Sequence, residues 1–160
     1  MNKNNNDRLD ELEAELSGNF PAVDCPLVHR FAGGMYIREI FMPKGTYIVS
    51  LTHLFEHPFF VLQGEAIVYS DNDGEQVITA PYIGITQPYT RRVLYINEDC
   101  IWATCHKTDI KPKDDSEESV LYAVSKVLEE VIEDRDNGVL GGKLINNTFI
   151  PNPKLITIKS

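Results

Sequence analysis

Between Met35 and His106 the chain alternates short β-rich apolar runs with turn-forming residues. The runs are Met35 to Met42, Thr46 to His53, Pro58 to Ser70, Glu75 to Ala80, Tyr82 to Gln87, Arg91 to Asn97 and Cys100 to His106. Several short strands at this rhythm predict an all-β sandwich or barrel. Each break has a cause. Pro43, Lys44 and Gly45 make a turn, Asp71 to Gly74 carries an Asp-Gly hairpin signal, and Gln87 with Pro88 interrupts a strand. Gly64 lies inside the strongest apolar run, Phe59 to Val68, and predicts a bulge or bend that takes the strand around a barrel corner.

On either side of this region the period changes. After a polar tail, Asn2 to Asn6, Leu9, Leu12 and Leu16 recur among acidic residues and predict a short helix over Asp7 to Leu16, ended by Ser17, Gly18, Asn19 and Pro21. Thr108 to Glu118 reads as a charged linker. Val120, Val124, Val127, Leu128, Val131 and Ile132 then recur at spacings of three and four. Ser116 suits the N-cap, Glu117 and Glu118 suit the first turn, and Asn137 with Gly138 supplies the stop. One face of this helix must be buried against the barrel or against another subunit. Phe149, Ile150, Leu155, Ile156 and Ile158, interrupted by Pro151 and Pro153, read as an arm whose Leu155 to Ile158 stretch suits a sheet edge, its own or a neighbour's. The chain divides accordingly into a lead-in (1–34), a barrel (35–107), a linker and amphipathic helix (108–138) and a C-terminal arm (139–160).

Composition narrows the function classes. A chain of 160 residues with 42% hydrophobic and 24% charged residues is one ordinary packed domain. Its formal net charge of −9 argues against nucleic acid, because the phosphate backbone would be repelled. Arg91 and Arg92 are the densest basic spot, but neighbours on a strand point to opposite faces and make no patch together. Met1 to Asp10 lacks the apolar core of a signal peptide, and no run approaches the roughly 18 apolar residues of a membrane span. The expectation is a cytoplasmic protein that does not engage a membrane. Cys25, Cys100 and Cys105 form neither a disulfide framework nor a zinc knuckle, and read as small hydrophobes in a reducing compartment. Cys105 and His106 diverge as strand neighbours, which argues against a nucleophile and base pair.

The order and spacing of one further set of residues is more specific. Met42, Pro43, Lys44 and Gly45 lead to Thr52, His53, Leu54, Phe55, Glu56 and His57, then to the block Val61 to Ala66. Thr79, Ala80 and Pro81 follow, then Pro88, Thr90 to Val93, Asn97 to Asp99, Trp102 and His106. This region resembles the cupin superfamily, and more narrowly the small single-cupin proteins of unknown role encoded by bacteriophages. The resemblance implies a cupin-type jelly-roll barrel, here with a short N-terminal helix, a C-terminal amphipathic helix and a terminal arm. In the family pattern one motif supplies two histidines and a glutamate, and a second supplies a third histidine, all facing inward onto one divalent metal. Aligned from Gly64, His57 takes the glutamate position, His53 that of the second histidine and Leu51 that of the first. Gln87 falls near the histidine of the second motif. The family ligand set is incomplete here.

On one straight strand the α-carbons of His53 and His57 would lie about 13 Å apart at ~3.3 Å per residue, too far to share an ion. A turn through Leu54, Phe55 and Glu56 brings them face to face. With His106 as third ligand, or more weakly Gln87, the set suits one divalent transition metal such as zinc, iron or nickel, and argues against magnesium or calcium. Without an ion, His53 and His57 line the barrel, bonded to neighbours such as Glu56 or tyrosines, and His106 is a surface residue at a strand end. His29 reads as structural, in a loop ahead of the barrel. Arg91, Arg92, Tyr95 and Trp102 are candidates for a ligand pocket, the arginines for an anionic group and the rings for stacking. The alternatives are a salt bridge from either arginine to Glu98 or Asp99, and ordinary packing for the rings.

Three readings of function stay open on this basis. The first is a non-catalytic protein of the phage type that works by assembly or binding, as a homo-oligomer through the 116–134 helix or the C-terminal arm. The resemblance extends that reading to a virion or host-cytoplasm role with other phage structural proteins as partners. The second is a metal-dependent enzyme acting on a small polar molecule, with Glu56 or a tyrosine moving protons. The third is a metal-free pocket that sequesters a small molecule.

Overall fold

The computed structural model describes residues 3–133, 143–145, 148–150 and 157–159. Two long antiparallel strands carry the architecture, β5 (His57–Ser70) and β8 (Arg92–Lys107), which pair along most of their length. The first half of β5 also pairs with β7 (Tyr82–Thr86), and the second half with β6 (Gly74–Thr79). β8 divides its other edge in the same way. Val93 to Tyr95 pair with β4 (Thr46–Val49), while Cys100 to Lys107 pair with β3 (Met35–Met42), which pairs in turn with β2 (Leu27–Ala32). Beyond β4 lie β11 (Thr157–Lys159) and β1 (Ala22–Val23). A separate hairpin joins β9 (Lys143–Ile145) to β10 (Thr148–Ile150). Two antiparallel layers, joined where β5 and β8 turn a corner, make the expected all-β jelly-roll barrel.

Gly64 makes that corner. Its φ is +88°, and an added Cβ would lie 2.2 Å from the Asp99 carbonyl oxygen, so only glycine lets β5 cross β8 this closely. Register shifts between Val61 and Ala66 mark the expected bulge. β8 runs unbroken where two strands were expected, Arg91 to Asn97 and Cys100 to His106. The turn-like residues between them are held: Asn97 donates to Glu65 at 3.0 Å, and Asp99 accepts from the Lys44 amide at 2.8 Å. The expected lead-in already contains β2, an edge strand whose His29 and Arg30 disguise it in sequence.

The barrel core buries Met42, Phe59, Val61, Val68, Ile78, Leu94, Ile96 and Trp102. α1 (Lys3–Asn19) starts inside the expected polar tail and buries Leu9 and Leu16. α2 (Glu117–Val131) is capped by Ser116, which accepts from the Ser119 amide at 3.2 Å. Its apolar face, Val124, Val127 and Val131, packs with Ile132 on Tyr36 of β3. Of the two coverings expected for this apolar face, its own barrel supplies one. α2 ends at Val131, ahead of the expected stop at Asn137 and Gly138, which lie outside the described residues. Of the expected edge-adding stretch Leu155 to Ile158, Leu155 and Ile156 also lie outside. Thr157–Lys159 adds to a sheet of its own chain, between β1 and β4. Among the described residues no helix is long and apolar enough to cross a membrane.

Candidate metal centre and cavity

The ladder sets the inner wall in rows. Tyr36 pairs with His106, and His57 with Thr86; one row deeper, Arg38 pairs with Thr104, Thr104 with Phe59, and Phe59 with Gly84. One end of the barrel is therefore lined by two histidines from different strands. The third comes from outside the strands. His53 follows β4 in a segment held on two sides: its carbonyl accepts from the Tyr89 amide at 2.7 Å, the Leu54 amide donates to Val131 at 2.8 Å, and the Glu133 amide donates to Thr52 at 3.0 Å. The chain then bends through Leu54 and Phe55, as the spacing of the two histidines required.

The three rings converge. Centroid distances are 4.6 Å for His53 and His57, 4.5 Å for His57 and His106, and 5.2 Å for His53 and His106, the last pair nearly parallel at 4°. One ring nitrogen from each lies within 4.8 Å of the others. Nitrogens bound at about 2.1 Å to one tetrahedral ion would be about 3.4 Å apart, so small ring movements separate this arrangement from a coordination shell. Each ring is also oriented from behind. His57 Nδ1 is 3.1 Å from the Phe55 carbonyl, His106 Nε2 is 3.0 Å from Thr104 Oγ1, and His53 bonds the Leu51 backbone. Such bonds fix ring orientation and leave one nitrogen per ring for an ion.

Charge points the same way. Burial, then His106, His57 and Arg38, hold His53 well below the usual histidine range. Burial, then His57 and Arg38, push His106 down to about 3. Burial, with Arg92 adding to it, also lowers His57, against a raising bond to Phe55. Three neutral imidazoles with lone pairs available are what a transition metal requires.

Below the histidines lies a cavity of about 150 Å³. Ile40, Ile48, Leu94 and Trp102 form much of its apolar wall, and Leu128 and Ile132 from the end of α2 complete it. Phe59 stacks on Trp102 at 4.9 Å. Gly84 makes room for that ring, since a Cβ there would meet Phe59 Cζ at 2.4 Å. Arg38 and Arg92 also line the cavity.

The structure separates the sequence candidates. His53, His57, His106, Arg92 and Trp102 share the cavity, and His106 is buried, not at the surface. Gln87 is exposed; Thr86, one residue earlier, takes the inward place, because a one-residue step along a strand reverses its face. Glu56 is exposed at the tip of the bend and does not line the cavity. Tyr95 lies on the outer face, where it packs on Tyr47 at 4.8 Å. Arg91 points out of the barrel to Asp10 at 2.7 Å and Glu13 at 2.9 Å of α1. Neither arginine pairs with Glu98 or Asp99, which instead hold Lys44 at the neighbouring turn. His29 sits on β2, 2.7 Å from the Tyr36 hydroxyl, a structural partner as expected although not in a loop. Tyr36, Arg38, Thr86 and Thr104 were missed. For Arg38 the signal was its parity, since it shares a face with Tyr36, Ile40 and Met42.

No family model matches the chain, and no curated protein matches it. Solved structures similar to it include an RmlC-like cupin family protein with a double-stranded β-helix fold from Methanocaldococcus jannaschii, at 8% identity and a TM-score of 0.45 over 53% of this chain and 81% of that one. An ectoine synthase from P. lautus matches at 11% identity and TM-score 0.46, over 59% and 73% of the two chains. An acetylacetone dioxygenase from Acinetobacter johnsonii matches at 10% and 0.44, over 57% and 69%. With every one of these TM-scores under 0.5, the chemistry of the cavity rests on this chain's own side chains.

Proposed function

We propose that the chain is a three-histidine metal protein that acts on a small molecule held in its barrel. His53, His57 and His106 would hold one divalent transition metal, and the observation that carries this reading is their convergence, each ring oriented from behind, at the end of a cavity. Such an ion supplies Lewis-acid polarisation of a bound oxygen. The chain's own residues supply the rest: Trp102 and the end of α2 exclude water, and Thr86 and Thr104 offer hydroxyls beside the rings. Among the described residues no carboxylate lines the cavity, and its three imidazoles are the metal-holding ones, so proton transfer falls to hydroxyl groups such as those of Thr86 and Thr104. Elemental analysis of the purified protein tests the reading. About one transition metal per chain, lost in H53A, H57A and H106A, is expected; no metal after loading with zinc, iron and nickel overturns it.

A second reading, self-assembly, has its own support. Leu62, Ile83 and Ile85 are more than half exposed and share one outer face with Pro58 and Phe60. That ladder carries no charge, and an uncharged apolar sheet face beside an edge strand suits a second copy of the same chain. Sedimentation of wild type as a dimer or larger, and of I83E/I85E as a monomer, is expected. A monomeric wild type overturns this reading.

A further inference from the structure

The charge of the cavity is unexplained by the histidines. The chain has 24 acidic residues against 15 basic ones, yet two guanidinium groups and no carboxylate line this cavity. Among the described residues neither Arg38 nor Arg92 makes an ion pair. Arg92 is more than nine-tenths buried. Its Nη1 donates to Thr86 Oγ1 at 2.8 Å, its Nε has no hydrogen-bond partner, and its guanidinium carbon stands 5.0 Å from the centre of the Phe59 ring. A ring face offsets only part of what a cation loses on leaving water. Arg38 projects from the row next to His106 and adds positive charge beside the rings.

We infer that the cavity binds a small organic monoanion, a carboxylate with a flat or apolar body, its charge met by Arg92 and Arg38 and its body lying against Trp102, Ile40 and Leu94. A guanidinium presents paired donors that match the two oxygens of a carboxylate. Ile40, Met42, Ile48 and Leu94 offer no polar side-chain group, so a bare phosphate would lose its hydration against most of the wall with nothing in return. The volume of about 150 Å³ limits the body to about one ring or a short chain. The inference deepens the metal reading and rests on it only for what the anion is placed beside, the three histidines.

Calorimetry on the full chain, stripped of metal, separates the two. The probes are benzoate, its uncharged counterpart benzamide, and inorganic phosphate. Wild type is expected to bind benzoate at least tenfold more tightly than either of the others. R92M, checked for folding by its melting curve, is expected to lose at least tenfold in benzoate affinity, and R38M several-fold. Every binding measurement is made without metal, so an absent metal would not obscure this result, and V77S, on the outer face and away from the cavity, is expected to keep its benzoate affinity. If R92M does not fold, R92K, which keeps the charge without the planar fork, is expected to weaken binding in its place. Equal binding of benzoate and benzamide, no benzoate binding, tighter phosphate binding, or unchanged affinity in the folded Arg92 variant would overturn the inference.

Discussion

Arg91 and Arg92 are adjacent, identical in type and both buried, yet the chain treats them in opposite ways. Arg91 faces outward under α1, where Asp10, Glu13 and the Ser50 carbonyl occupy its guanidinium. Arg92 faces inward, onto a ring and a threonine hydroxyl. The first fastens a helix to the barrel with groups the chain supplies. The second holds donor capacity in a cavity where the chain supplies no acceptor of opposite charge. Burial of a cation thus marks a structural clasp only when its partners are counted.

The largest expected effect comes from breaking the clasp. R91A removes the buried guanidinium that clasps Asp10 and Glu13 of α1 and should cost about 3–5 kcal/mol, read from urea unfolding. R92M removes a buried charge whose nearest carboxylate influence, Asp73, stays solvent-exposed, and should change stability by no more than about 1 kcal/mol in the same measurement. Equal losses in the two variants would erase the distinction.

Acid sharpens the comparison from the cavity side. His106 is held at about 3 and His29 at about 4, both below the ordinary 6.5. Below 6.5 the unfolded chain takes up protons that these folded-state rings refuse. Their contribution is therefore complete above 6.5 and is lost as pH falls towards 3–4. His106 should add a slope of about 1.3 kcal/mol per pH unit between pH 5.5 and 4.5, and the part-exposed His29 a shallower one. Unfolding of metal-free protein across that range, with H106Q as control, checks it: the variant should have the shallower slope.

A smaller effect is expected at Gly84. G84A puts a methyl group into the Phe59 ring and should cost about 1–3 kcal/mol. Because it moves the ring beneath Arg92, it should also alter the near-ultraviolet circular dichroism of the Phe59 and Trp102 stack. An unchanged spectrum would mean that the ring does not need the space.

The fold was legible because its signals are local. Alternation, the Asp-Gly hairpin and Gly64 each act within a few residues. Edge strand β2 escaped because His29 and Arg30 are tolerated on an edge. The site was half legible. Histidines at three positions can be found by type and by one bend, and all three meet. Gln87 and Tyr95 failed on parity: along β8 the even positions from Arg92 to His106, except Glu98 at the corner, face inward, which turns Tyr95 outward, and a step of one exchanges Gln87 for Thr86. Along β5 the bulge at Gly64 exchanges odd for even, His57 and Phe59 on one side, Ala66 and Val68 on the other, so that parity cannot be carried through from sequence. Arg38 was passed over because an arginine in a strand reads as solvent-facing until its row is known.

The placement of His53 has a bearing on how the protein matures. His57 and His106 are set by the barrel alone, but the segment that carries His53 takes two of its backbone bonds from Val131 and Glu133, far later in the chain. A chain ending before α2 would contain every strand from β2 to β8 and all three histidines but would lack both of these bonds, leaving the Tyr89 amide to hold the His53 segment. A product cut short there is expected to keep the β signature of the fold while loosening the third corner of the site.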